Sequence, residues 1–438
     1  MGRRPALPGG SRRCQYRRCP SMRAKPSLRR SGAESFAGVA AGLSIRRSVT
    51  KATQARHAVV APPWSTGLRR NWGRSVMGRI GIAMVGVLLA CAALPAEAEG
   101  IGTLRLIGEA TLPKGLDYQG TIVGGLSGLD WDPAARQWIA LSDDRSEKAP
   151  ARFYTLTIDY DAGAVRGITV TGVTTLQDAS GAGFAPKSVD PEAIRRDPIA
   201  GLLYWSSEGG VKAGIDPMIS VAAPDGRWQR GFDLPQRYRV SEDRNLGPRD
   251  NLVFEGLALS PDGRTLFASL ENALVQDGPI ASLARGSPVR IASFDTASGA
   301  PGPEHVYVTD PIPVAPLLPG GSADNGVSEI LPAGDGTLLV LERAYAQGRG
   351  NSIRLYRADP TLATDVSGLD SLLDGSWLAM PKTLLLDFGT LGVALDNFEA
   401  MGWGPDLANG HRSLVVMSDD NFNPVQATKA LVFEVLPD

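Results

Sequence analysis

Glu192 is followed by Glu208, and Glu255 by Glu271, each pair 16 residues apart; the same interval separates Ser127 from Asp143. Two further stretches carry the pattern at other lengths: Ser328-Glu-Ile330 leads to Glu342, and Glu399-Ala-Met401 leads to Ser418-Asp-Asp-Asn421. Carboxylates gathered in one place repel one another unless cations or hydrogen-bond donors intervene. Oxygen ligands at loop ends suit Ca²⁺ or Mg²⁺, and His305 and His411 are too few and too far apart in the pattern to build a His-based site. The candidate metal ligands are Asp143, Asp144, Glu208, Glu271, Asp419 and Asp420, with the paired aspartates foremost. Glu192, Glu255 and Glu399 are the candidate general bases. Arg145, Lys212 and Arg343 could clamp an anionic substrate, because guanidinium matches phosphate or carboxylate oxygens in bidentate fashion. The same residues have a plainer reading. Acids at strand ends accept backbone N–H bonds and pin loops, and an arginine beside an acid is commonly its ion-pair partner.

What must position these residues is a hairpin that recurs. In Phe254 to Asn272, Leu257 and Leu259 alternate with small or polar neighbours, Ser260-Pro-Asp-Gly263 supplies a turn, and Leu266-Phe-Ala268 resumes the extended pattern. Such a hairpin returns Glu271 to the sheet edge that holds Glu255. The other units turn at Asp132-Pro133, Asp197-Pro198 and Gly334-Asp-Gly336, and the fifth by a longer connection through Asp406 to Gly410. Two more strand-like runs follow each of the first four units, giving four antiparallel strands every 60 to 75 residues. That is the pattern of a propeller blade. The fifth unit has one further strand, Ala430 to Leu436, and lacks a fourth; Thr103 to Thr111 is the unused strand that would close the ring. The expected fold is therefore an all-β, five-bladed propeller. A sixth blade would have to lie in 310–325 or 358–380, one Pro-rich and the other loop-like. In such a ring Ser127, Glu192, Glu255, Ser328 and Glu399 surround one channel mouth, with the terminal acids just outside.

The charge is unevenly spread. Up to Arg74 there are 15 Arg and 2 Lys against the single acid Glu34, so the formal total of −1 leaves about −17 on the remainder. An acidic body argues against nucleic acid as a partner. Residues 1–76 read as a basic, aperiodic extension, either preceding the true start at Met77 or forming an unusual leader. Residues 77–98 have the basic, apolar and small-residue regions of a secretory signal, with Ala96-Glu-Ala98 as cleavage site, leaving 99–438 as the mature domain. Arg69-Arg70 offers a twin-arginine alternative, and Cys91 a lipoprotein one. Cys14, Cys19 and Cys91 all precede Glu99, so an exported body would be free of thiols, disulfides and any transmembrane span, stabilised by burial alone.

Gly125-Leu-Ser-Gly-Leu129 with Ala140-Leu-Ser-Asp-Asp144, Phe254-Glu-Gly-Leu-Ala-Leu-Ser-Pro-Asp-Gly-Arg264, and Asn397-Phe-Glu-Ala-Met401 with Ser418-Asp-Asp-Asn421 make the chain similar to the bacterial phytase-like family. The resemblance covers nearly all of 120–438. It implies an exported β-propeller and, through distant kinship with propeller phytases, calcium-dependent hydrolysis of phosphate esters. The expectation is a periplasmic or secreted monomer acting on a small anionic substrate. A non-catalytic binding propeller and a carboxyl-ester or lactone hydrolase are the alternatives.

Overall fold

The computed structural model describes residues 100–373 and 375–437. The expectations for the basic extension and the signal segment fall outside them. Among the described residues no helix is long and apolar enough to cross a membrane.

The first strand among the described residues is β1 (Thr103–Thr111), and β2 (Asp117–Tyr118) and β3 (Thr121–Ile122) form a small hairpin before the first blade. Blade one is β4 (Leu126–Asp132), β5 (Gln137–Ser142), β6 (Arg152–Tyr160) and β7 (Val165–Thr175). Blade two is β8 (Pro191–Arg196), β9 (Leu203–Ser207), β10 (Met218–Ala222) and β11 (Trp228–Gly231). Blade three is β12 (Phe254–Leu259), β13 (Thr265–Leu270), β14 (Pro288–Asp295) and β15 (Pro301–Val308). Blade four is β16 (Ala323–Pro332), β17 (Leu338–Ala346), β18 (Gly350–Ala358) and β19 (Lys382–Asp387). Blade five is β20 (Asn397–Trp403), β21 (Ser413–Asp419) and β22 (Lys429–Leu436). Its outer position is filled by β1, which runs antiparallel to β22 with Thr103 opposite Leu436 and Thr111 opposite Lys429.

The chain is thus all-β, with five four-stranded antiparallel blades in a propeller arrangement. The two stretches that a sixth blade would have needed carry no blade of their own. In the second of them, residues 359–373 hold a short 3-10 turn at Pro360–Leu362 and pack on blade three through Val366 and Leu372 against Val306.

Each blade has two apolar faces because each is sandwiched between neighbours. Ile139, Leu141 and Phe153 of blade one meet Ile194 and Trp205 of blade two. Tyr204 and Val221 of blade two join Leu257 and Ile291 of blade three, which in turn meet Ile330 and Val340 of blade four. Leu339 and Leu341 meet Met401 and Val416, and Val415 and Val432 meet Leu129 and Trp138. The core is therefore a ring of interfaces around a polar axis, which is why small residues mark the inner strands. A Cβ on Gly128 would come within 2.8 Å of the Glu192 carbonyl oxygen, and one on Gly256 within 2.8 Å of the Ile330 nitrogen.

Candidate functional site

The inner strands share a local irregularity. Phe254 pairs with Leu270 and Gly256 with Ser269, leaving Glu255 as an extra residue, a β-bulge. Ser127, Ser328 and Glu399 occupy the same extra position in β4, β16 and β20, and the register of β8 shifts across Glu192 and Ala193. A bulge turns a side chain out of the sheet's alternation, and here it does so at the channel mouth in every blade. The 16-residue interval also has a structural cause. The N–H of Asp143, Glu208 and Glu271 donates to the carbonyl of Gly125, Asp190 and Val253, respectively, in each case two residues before the bulge. Ring and terminal residues are locked side by side by the same backbone bond.

The result is a buried carboxylate cluster. Glu192, Glu208, Glu255, Glu271, Glu399, Asp419 and Asp420 are all buried, and Asp143 is half-buried. Two trios have carboxylate oxygens within 4.8 Å of one another: Asp190, Glu192 and Glu208, and Glu208, Glu255 and Glu271. Glu208 belongs to both. Its Oε1 accepts the Val253 N–H, while its buried Oε2 has no hydrogen-bond partner among the described residues.

Burial and mutual repulsion raise the proton affinity of the cluster. Glu192 is pushed well up by burial and then by Glu255 and Asp190, Glu208 by burial and then Glu271, and Glu255 by burial and then Glu208 and Glu271. Burial lifts Glu271 to about 7 against the pull of Arg343, and Asp190 to about 7 against that of Arg145. Asp143 rises to about 8 through burial, helped by Glu399 and Asp190. Asp419 is raised by burial and by Asp143, and its Oδ2 is buried without a partner.

The expected cationic clamps are already engaged. Arg343 reaches Glu271 at 3.0 Å and Glu399 at 3.2 Å, bracing blade three against blade five across the mouth. Burial disfavours its charge, but Glu399 and Glu271 outweigh that and hold it protonated. Arg145 pairs with Asp190 at 3.1 Å, and exposed Lys212 turns away to Asp250 at 2.6 Å. A cavity of about 340 Å³ opens beside Arg343, lined by Asp324, Tyr345, Asp396 and Asn397.

The paired aspartates divide their work. Asp144 accepts the N–H groups of Glu147, Lys148 and Ala149 and binds buried Arg152 at 2.8 Å, so its oxygens are committed to its own loop. Burial works to raise its pKa, and these donors, Lys148 and Arg152 ahead, bring it below the usual range. Asp420 spends one oxygen on the N–H groups of Gly125 and Phe422. The trios with converging oxygens lie on blades two and three, whereas the sequence had put the paired aspartates of blades one and five foremost. Glu342, the terminal acid of blade four, is likewise committed, to Tyr307, Asn325 and Lys382.

Three residues escaped the sequence reading. Asp190 lies two residues before its bulge, where the other blades have Gly125 and Val253, so no shared letter marks it. Arg195 and Glu329 close the channel beneath the cluster as a buried ion pair at 2.6 Å. Arg195 also donates to the carbonyls of Leu129, Ile194, Leu257 and Ile330, one from each of four inner strands. Neither charge stood out in the sequence, because Glu192 and Arg196 share β8 with Arg195, and Asp324, Asn325 and Ser328 share β16 with Glu329.

A protein of Arthroderma benhamiae described as an uncharacterized secreted protein is 32% identical over 121 residues, 26% of this chain and 23% of that one. The chain therefore spans about a quarter of the length of that curated relative. A periplasmic gluconolactonase of Pseudomonas aeruginosa matches with a TM-score of 0.31 at 14% identity, over 72% of this chain and 87% of that one. A GH62 α-L-arabinofuranosidase catalytic domain of Coprinopsis cinerea gives 0.37 at 10%, over 77% and 98%. A bifunctional GH43-CE protein of Bacteroides eggerthii gives 0.36 at 10%, over 77% and 33%. The family described as "Phytase-like: Esterase-like activity of phytase" matches residues 121–422, most of the chain, from blade one to the first two strands of blade five, and the protein belongs to that family.

Proposed function

We propose that the protein is an exported hydrolase of ester bonds that works at the acidic mouth with a divalent cation, with phosphate monoesters as its first substrate class. The observation that carries this reading is Glu208, a buried carboxylate shared by two converging trios, with one oxygen that has no hydrogen-bond partner among the described residues. The donors are all carboxylate oxygens, which suits Ca²⁺. Asp190, Glu192, Glu208, Glu255 and Glu271 would hold the cation. When bound, it would neutralise the cluster and polarise the oxygen of an ester or phosphoryl group. The chain's own residues supply the rest. With Glu192 and Glu255 engaged in the trios, Glu399 is the ring carboxylate left to accept a proton, and Arg343 at 3.2 Å orients it. Asp143 and Asp419 crowd the same edge and can return a proton to a leaving group. The cavity beside Arg343 would admit the substrate's body.

A second reading is favoured by one observation: Arg145, Lys212 and Arg343 are each paired with a carboxylate, which leaves none of these three free for an anion. A neutral carboxylic ester or lactone meets no repulsion at such a mouth. Turnover of p-nitrophenyl phosphate against p-nitrophenyl acetate separates the two, and Glu399→Gln is expected to lower either by about 10²–10⁴-fold. Absence of turnover with both would favour a binding propeller. Export is supported by the "secreted" description of the Arthroderma benhamiae relative. We also propose a monomer, because the five blades cover one another's apolar faces.

A further inference from the structure

The channel has a second mouth, on the far side of the Arg195–Glu329 closure, and a cavity of about 260 Å³ opens there. It forms where the five inner strands end. Its walls include Trp131 and Trp403 and four prolines, Pro133, Pro198, Pro261 and Pro332, and its inner end meets Asp130 and Arg195. All five blades thus contribute a rigid ring to one small chamber, and Trp403 is held in orientation by donating Nε1–H to the Pro332 carbonyl at 2.8 Å. Arg412 lies 3.5 Å from the centre of that indole, a cation–π contact.

The charges at the inner end select the ligand. The Arg195 guanidinium is spent on Glu329 and four carbonyls, and Arg196 is paired with Asp132 at 2.9 Å. Asp130 has no ion-pair partner among the described residues; its Oδ2 accepts the Arg196 N–H at 2.7 Å. One carboxylate is left over at the end of an aromatic and proline-walled chamber. A volume below the ~300–1,000 Å³ of drug-sized sites suits a small molecule.

We propose that this second mouth is a binding site for a small organic monocation, its ammonium group meeting Asp130 and its apolar body lying among Trp131, Trp403 and the prolines. Burial raises the proton affinity of Asp130, and an ammonium group brought beside it would favour the ionised carboxylate. The site is separate from the acidic mouth and independent of any reaction there.

Calorimetric titration of the whole protein with phenethylammonium, phenethyl alcohol and phenylacetate tests this. The cation is expected to bind at least about tenfold more tightly than the alcohol, and the carboxylate not at all. Asp130→Asn should remove that preference. Ile199, on the rim and 71% exposed, tolerates substitution; Ile199→Lys should weaken phenethylammonium and Ile199→Glu should strengthen it. Glu255→Gln, at the opposite mouth, should leave its binding unchanged. The proposal is overturned by absence of saturable binding, by equal affinity for the alcohol, or by a loss in Glu255→Gln with no effect of Asp130→Asn and Ile199→Lys.

Discussion

Glu208 concentrates the tension of the site in one side chain. It is buried, shared by two trios, and half satisfied, by the Val253 N–H alone. Neutralising it should relieve repulsion, so Glu208→Gln is expected to melt higher than the wild type in chelator and to lack the Ca²⁺-dependent rise in Tm expected of the wild type. Differential scanning fluorimetry checks both. A related outcome concerns pH. Burial raises Glu271 and Asp190 to about 7 and Asp143 to about 8. Groups whose folded pKa lies above the unfolded value stabilise the fold while protonated, and that contribution is lost as pH rises through the folded pKa. Cation-free protein should therefore lose stability from about pH 5 to about pH 8, and Ca²⁺ should flatten the decline. At this scale the sequence was informative where a residue type recurred. Glu192, Glu255 and Glu399 announced themselves by position in a repeat, whereas Asp190 stands where its counterparts are Gly125 and Val253. The direction of consecutive acids is also invisible in one dimension. Asp143 and Asp144 are adjacent letters, yet one joins the cluster and the other is consumed by its loop.

The hairpin is the element that makes the site. The 16-residue span of its first three copies was legible, and the physical cause is the shared backbone bond from terminal acid to the residue two before the bulge. The bulge itself was not legible, because an extra residue in a strand leaves the local letters unchanged and shows only in the pairing register. Glycine after the bulge has a packing cause. In Gly256→Ala the new methyl would meet the backbone of Glu329 and Ile330 on blade four at 2.8 to 3.1 Å, and no flexible side chain can yield there. Urea denaturation should show a loss of about 1–3 kcal/mol, with blades three and four forced apart.

Across the whole molecule, counting strands was enough to reach five blades and to leave β1 for the outer position of the last. The axis was harder to foresee. Arg195 belongs to blade two but donates to carbonyls of blades one to four and to Glu329, so the channel is a closed, cross-braced core with two separate mouths. Which strands converge on a side chain is a property of the closed ring, and single-strand patterns carry no trace of it. Arg195→Met would leave Glu329 buried without its partner and is expected to cost about 3–5 kcal/mol, read as a fall in the denaturation midpoint.

The most direct test of the account is to strip the purified protein with chelator and follow hydrolysis of p-nitrophenyl phosphate and p-nitrophenyl acetate as Ca²⁺ is returned, in wild type and Glu208→Gln. Activity toward one ester is expected to disappear on stripping and to return saturably with Ca²⁺ in the wild type alone. Full activity in the stripped protein, or equal recovery in Glu208→Gln, would contradict it.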